Sequence, residues 1–225
     1  MIGILGGTFD PPHWGHLKLA QNFIETLKLD QLIWLPAGQP WQKDSGITPA
    51  ETRLALTQAA ADDLKASLSP ALSNVSIHVN RMELDRNGPS YTIDAARELR
   101  QIYGNEVSLI WIMGADSYNN LSTWKDWELL PNYLHLAIAN RSSQTQLADS
   151  SIDNVKKAFE GRITSNVADL TKSPCGKVYF DQNFHVDLSS THIRKGLQSR
   201  GCKIDLSDSI SPKVLELINS SGIYQ

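Results

Sequence analysis

Two histidines spaced i, i+3 behind a pair of glycines give the densest chemical signal in the chain: His13 and His16 within Gly6-Gly7-Thr8-Phe9-Asp10-Pro11-Pro12-His13-Trp14-Gly15-His16. Glycines tolerate φ > 0 and let backbone N–H groups approach an anion, and a helix start beyond them aims its positive dipole end at the same place. Residues three apart on a helical turn share a side, so both imidazoles can face that anion, with Gly15 between them offering no obstruction. The turn carries neither GxxxxGK[ST] nor GxGxxG, so the imidazoles must supply what a P-loop lysine supplies elsewhere. An imidazole N–H donated to a phosphate oxygen, charge-assisted when the ring is protonated, contributes on the order of 1.5–3 kcal/mol. Phosphoryl-type transfer calls for such donors, because positioning and charge stabilisation carry most of its catalysis.

A second segment, Leu188 to Leu197, offers Ser189, Ser190 and Thr191 as N-cap residues, whose hydroxyls join the unpaired N–H groups of a helix start in another anion site. Arg194 follows Thr191 by one turn, and its planar fork can bridge phosphate oxygens as a lysine cannot. Alone, a capped helix with an arginine in its first turn is commonplace; paired with the first motif it suggests a polyphosphate held between two helix starts. Asp116 stands at the end of an apolar run, where a carboxylate can accept from ribose hydroxyls. Trp124 and Trp127, also i, i+3, read as groove or core packing, although an aromatic face suits a flat heterocycle.

These residues need elements to hold them. Met1 to Leu5 is an apolar run ending at the glycines, and Ala20, Phe23, Ile24 and Leu27 then recur at helical spacing. Leu32 to Leu35 is a second strand stopped by Pro36, and Thr48-Pro49-Ala50-Glu51 predicts an N-cap, an N1 proline and a capping-box glutamate for a second helix. Val75, Ile77 and Val79 alternate as a half-buried strand does, and a helix with Ala95, Leu99 and Ile102 follows Ser90 and closes at Gly104. Val107 to Met113 and Tyr133 to Ala139 are apolar enough for central parallel strands. From about 140 to 176 the composition turns polar and reads as an insertion, with Val155 to Phe159 able to form a helical turn. Lys177 to Phe180 and His185 to Leu188 read as short strands, and a C-terminal helical part spans about 190–225, with starts after Ser190 and at Ser211-Pro212 and a stop at Gly222. Strands alternating with helices predict a single α/β domain over 1–225, a Rossmann-like doubly wound parallel sheet with its ligand at the carboxyl ends of the strands.

Lys+Arg 21 against Asp+Glu 24, a net charge of -3 over 225 residues, leaves no basic surplus for nucleic acid or an anionic membrane, so the expected partner is a small molecule. Cys175 and Cys202 have no CxxC or ligand spacing, so neither a disulfide framework nor a metal site is expected. The apolar start is too short for a signal segment and no run approaches the ~20 residues of a membrane span, which points to the cytoplasm. His78, His135, His185 and His192 are read as structural or surface residues.

The fingerprints His13-Trp14-Gly15-His16 and Ser189-Ser190-Thr191-His192-Ile193-Arg194, with Pro89-Ser90-Tyr91-Thr92, Met113-Gly114-Ala115-Asp116-Ser117 and Trp124-Lys125-Asp126-Trp127 between them, resemble the bacterial nicotinate mononucleotide adenylyltransferases of the HxGH / ISSTxIR nucleotidylyltransferase superfamily. The resemblance runs in order from Gly6 to Tyr224. It implies in-line attack by the 5′-phosphate of nicotinate mononucleotide on the α-phosphorus of Mg-ATP, without a covalent intermediate, the Mg2+ arriving with ATP. It further implies that His13, His16, Thr191 and Arg194 contact the ATP phosphates, with Gly6, Gly7, Thr8, Phe9, Gly15 and Ser190 around them and Gly114 and Asp116 on the adenosine. For the acceptor it implies Tyr91 and Thr92 near the pyridine ring, Trp124 stacked on it, backbone N–H groups around Trp124 and Lys125 on the carboxylate, and Arg141 and Lys43 as further contacts. One stretch departs: where relatives read PPHK or PPHR, this chain reads Pro40-Trp41-Gln42-Lys43, and Gln42 cannot carry charge. A sister adenylyltransferase for nicotinamide mononucleotide or phosphopantetheine, and a non-catalytic nucleotide-binding regulatory protein, are the competing readings.

Overall fold

The computed structural model describes residues 1–41, 46–139, 150–181, 184, 190–198 and 206–224. Expectations at Lys43, Arg141, Ser189 and Cys202, and the strand expected over 185–188, lie outside those residues. Among the described residues seven strands, β1 (Ile2–Gly7), β2 (Gln31–Pro36), β3 (Ser76–Val79), β4 (Leu109–Gly114), β5 (His135–Ala139), β6 (Ile163–Thr164) and β7 (Val178–Asp181), form one sheet in the order β3-β2-β1-β4-β5-β7-β6. Every pairing is parallel. Chain order runs outward in opposite directions from β1 and from β4, so the doubly wound sheet has its switch point between those two strands, where open α/β sheets bind ligands.

Helices α1 (Trp14–Leu27), α2 (Ala50–Ser67), α3 (Met82–Asp85), α4 (Thr92–Tyr103), α5 (Ala115–Asn119), α6 (Ser150–Ala158), α7 (Ser190–Gln198) and α8 (Pro212–Ser221) fill the connections. β4 is apolar throughout because its side chains alternate between two cores. Ile110 and Ile112 pack with Leu5, Phe23 and Leu56 on one face, and Leu109, Trp111 and Met113 pack with Ile4, Ile93 and Leu99 on the other. α1, α2 and α8 cover the first face, α4 the second. The polar stretch read as an insertion contributes α6 and the edge strand β6, whose Ile163 and Thr164 pair with Val178 and Tyr179.

Two local expectations are corrected. α2 starts with Pro49 as its N-cap and no side-chain cap, so Thr48 and Glu51 do not form a capping box. The Thr48 N–H is donated to Asp10 Oδ2 at 3.3 Å and its carbonyl accepts from Arg53 Nε at 2.9 Å, while Glu51 pairs with Arg81 at 3.0 Å. Nor do Gly6 and Gly7 supply a left-handed turn: both continue β1, and the positive φ, 50°, falls on Phe9. Gly6 is needed for space instead, since a Cβ there would lie 2.3 Å from the Trp111 ring.

Candidate active site

At the carboxyl ends of β1 and β4 lies a cleft of about 670 Å3, a size suited to a small ligand. Its walls carry Gly6, Gly7, Thr8, Phe9, His13, Gly15 and His16 from the first turn and α1, and Gly114 and Asp116 from the end of β4 and α5. Tyr91 and Thr92 at the start of α4, Trp124 and Lys125, and Ser190 and Thr191 at the start of α7 complete it. Segments far apart in sequence thus converge where the strand order turns.

The histidines form the cap of α1. His13 is its N-cap residue and His16 its third residue: Gly15 N–H is donated to His13 Nδ1 at 3.1 Å, and His13 N–H to His16 Nδ1 at 3.2 Å. This is a reciprocal capping box with imidazoles in place of hydroxyl and carboxylate. The rings are 3.9 Å apart, and Phe9 packs edge-on to His16 at 5.1 Å. Because Nδ1 of each ring accepts a backbone N–H, the ring proton resides on Nε2. Both imidazoles are thereby held in one orientation by the start of their own helix.

On the other side, the Ser190 hydroxyl is donated to the Pro11 carbonyl at 3.0 Å, tying α7 to the first turn rather than capping its own helix. Thr191 lines the cleft, but Arg194 is not among the lining residues. Its Nη1 is bonded to the Asp10 carbonyl and lies 3.8 Å from Asp10 Oδ2, and its Nη2 is 3.4 Å from Thr191 Oγ1. Asp10 is buried and also accepts from the Tyr224 hydroxyl at 2.6 Å, a contact that, with burial, pushes the Tyr224 phenol well above its ordinary value. The guanidinium is therefore held between Asp10 and Thr191, partly exposed beside the wall.

Aromatic groups mark a further part of the wall. Trp41, 43% exposed, has its ring 5.9 Å from that of Tyr91, and the Lys125 ammonium lies over the Tyr91 ring at 4.6 Å. Lys125 is also 3.7 Å from Asp94, while Arg97 reaches Asp94 at 3.2 Å and Asp126 at 3.6 Å. This chain of alternating charges fastens the segment around Trp124 to α4. Ser90 Oγ accepts the N–H groups of Gly38 at 2.9 Å and Gln39 at 3.1 Å, which ties the segment after β2 to the same wall.

A sequence model described as cytidylyltransferase-like matches residues 4–196, a span that includes every cleft residue named above. A probable nicotinate-nucleotide adenylyltransferase of Herminiimonas arsenicoxydans is 35% identical over 88% of this chain and 85% of its own length. One from Neisseria meningitidis serogroup C is 32% identical over 100% of this chain and 98% of its own. The chain belongs to the nicotinate-nucleotide adenylyltransferases of the cytidylyltransferase-like family. It is similar in fold to Plasmodium falciparum nicotinic acid mononucleotide adenylyltransferase complexed with NaAD, with a TM-score of 0.71 at 16% identity over 99% of this chain and 96% of that one.

For this adenylyltransferase, the cleft also takes in residues to which the sequence reading gave no role there. His192, read from sequence as structural or surface, lines the cleft, as do Asp10, Trp41 and Glu83. Glu83 is buried, and desolvation pushes its carboxyl from 4.5 up to about 7 against the opposing pull of Ser90 and Arg86. His192 could have been found from its place inside the second motif, and Trp41 from its departure from the family pattern. Nothing in the local sequence marks Glu83. Among the described residues no helix is long and apolar enough to cross a membrane.

Proposed function

We propose that this enzyme transfers the adenylyl group of Mg-ATP to the 5′-phosphate of nicotinate mononucleotide, releasing pyrophosphate and nicotinate adenine dinucleotide by direct in-line displacement, in the cytoplasm. The observation that carries the reading is one cleft lined by two unlike groups: paired imidazole donors at a helix start, and the aromatic side chains of Trp124, Tyr91 and Trp41. Donors held by caps are preorganised, which is the property that stabilises charge developing on a leaving group. In this reading Nε2–H of His13 and His16 and the Thr191 hydroxyl meet the phosphates, with backbone N–H groups of the Gly6–Phe9 turn beside them. Asp116 accepts from the adenosine ribose, and Arg194 adds its charge from beside Thr191. Mg2+ is carried in on the ATP phosphates and offsets their charge. The acceptor ring stacks on Trp124, with the 124–125 backbone and the Lys125 ammonium on its carboxylate side; Lys43 and Arg141 belong to the same acceptor set. The names of the relatives and of the P. falciparum enzyme support the same substrate pair.

The test mixes protein and Mg-ATP with nicotinate mononucleotide, nicotinamide mononucleotide or phosphopantetheine separately and follows pyrophosphate. Release should be fastest with nicotinate mononucleotide. Faster release with another acceptor reassigns the substrate, and none with any acceptor reduces the protein to a nucleotide binder.

A further inference from the structure

One buried side chain joins two segments that border the cleft to the start of α2. Arg53, in the first turn of α2, is 1% exposed. Its Nε is bonded to the Thr48 carbonyl, its Nη1 to that of Thr8 and its Nη2 to that of Gly38, each at 2.9 Å. Thr8 belongs to the turn that leads to the imidazoles, whereas Gly38 opens the segment that leads to Trp41. Pairing of β1 with β2 stops at Gly7 and Pro36, and the last backbone bond between them runs from Ala37 N–H to the Gly7 carbonyl. One residue further on, where the strands no longer hold each other, the guanidinium bridges Thr8 to Gly38. Gly38 is backed from the other side, since a Cβ there would lie 2.2 Å from the Glu83 carbonyl oxygen.

A guanidinium places its donors in one plane at fixed angles, so three carbonyls bonded through three of its nitrogens are fixed relative to one another. A lysine ammonium imposes no such plane. Burial makes the Arg53 charge costly, and desolvation lowers its basicity although Asp10 and Tyr224 act in the other direction. A buried charge is a poor device for stability alone, because apolar residues of similar volume often serve as well.

We propose that Arg53 is a positioning residue for adenylyl transfer: it sets the spacing between the ATP turn and the acceptor wall, so that the α-phosphorus and the incoming phosphate oxygen meet in line. It touches neither substrate. The inference rests on the reaction proposed above, and its consequence follows from geometry: each half-site survives its loss, but their alignment does not. Misplacement of reacting groups by about 1 Å can cost on the order of 100-fold in rate.

The experiment compares wild type with Arg53→Lys in steady-state assays that vary Mg-ATP and nicotinate mononucleotide in turn, with the folded fraction read by near-ultraviolet circular dichroism. Turnover per folded molecule should fall roughly 30- to 100-fold while each KM stays within about threefold. Amide hydrogen exchange supplies a readout that does not depend on the reaction: the Ala37, Gly38 and Gln39 amides, which are donated to the Gly7 carbonyl and to Ser90 Oγ beside the clamped carbonyls, should exchange about tenfold faster or more in the variant, with the α1 and β4 amides unchanged. Arg53→Gln serves as a second variant if the lysine form folds poorly. An inactive wild type would reject the proposed reaction, and the exchange data would still judge the clamp. Turnover per folded molecule equal to wild type, unchanged exchange at those amides, or loss of the fold in both variants would overturn the proposal.

Discussion

An imidazole that caps a helix cannot be deleted without cost to that helix, so His16 has two duties that one substitution confounds. His16→Ala removes the acceptor for the His13 N–H and should cost about 1 kcal/mol of stability. If its Nε2–H also meets the transferring phosphates, turnover falls by roughly 100-fold as well, the scale of losing one preorganised donor. His16→Gln separates the two effects, because glutamine at the third helical position can accept the same N–H. We expect its urea midpoint to match wild type while turnover stays depressed about 100-fold; recovery of both together would show the ring itself to be dispensable. At this scale the sequence showed that the two histidines share a side, since i, i+3 spacing requires it. It did not show that they cap each other, because the capping code is written in Ser, Thr, Asp and Asn and no rule flags histidine. Arg53 was equally invisible: an arginine within a helix reads as a solvated charge until the carbonyls of three separate segments are seen to bond it.

Elements with a strong period were legible, and those shaped by distant contacts were not. The strands that became β1, β2, β4 and β5 and the helices α1, α4 and α8 follow from apolar runs, 3.6-residue spacing and a terminal Gly104 or Gly222. The two residues of β6 have no period to show and become a strand only because β7 lies beside them. α2 starts after Pro49 without its expected cap because the Thr48 backbone is engaged by Asp10 and Arg53. The aromatic wall is likewise a joint product, since Trp124 lies between two 3-10 turns, Leu121–Thr123 and Trp127–Asn132, and its neighbours Lys125 and Asp126 are paired to α4. Exposed pairs of this kind contribute little energy; on the proposed reading, the wall's grip on the acceptor comes from ring contact. Stacking of a flat base on an aromatic side chain is worth about 1–3 kcal/mol. Trp124→Ala should therefore raise KM for the acceptor about tenfold or more and leave KM for Mg-ATP within about twofold; equal rises in both would remove Trp124 from the acceptor site.

Across the whole molecule, one sheet brings residues from the first turn, β4, the segment around Trp124 and α7 to a single edge, and Tyr224 near the chain's end returns to Asp10 near its beginning. The doubly wound order was legible from alternating strands and helices, but no local pattern showed that the wall would bury a carboxyl. Glu83 sits in that wall with Ser90 and Arg86 favouring its ionised form, Glu98 and Asp94 opposing it, and desolvation outweighing them all, so its carboxyl is pushed from 4.5 up to about 7. A carboxyl whose value is raised on folding holds a proton in the native state that the unfolded chain has released. Between about pH 4.5 and 7 the native state therefore binds more protons, and stability attributable to Glu83 falls as pH rises through that window and levels off above it. At about 1.4 kcal/mol per pH unit of difference, the whole window amounts to at most about 3.5 kcal/mol. Glu83→Gln keeps the shape and removes the titration. Urea unfolding of both proteins at pH 5 and pH 8 should show the variant gaining on wild type at the higher pH by an amount approaching that limit. Parallel pH dependence in the two proteins would mean that the buried carboxyl is already ionised at pH 5, with Arg86 and Ser90 outweighing its burial.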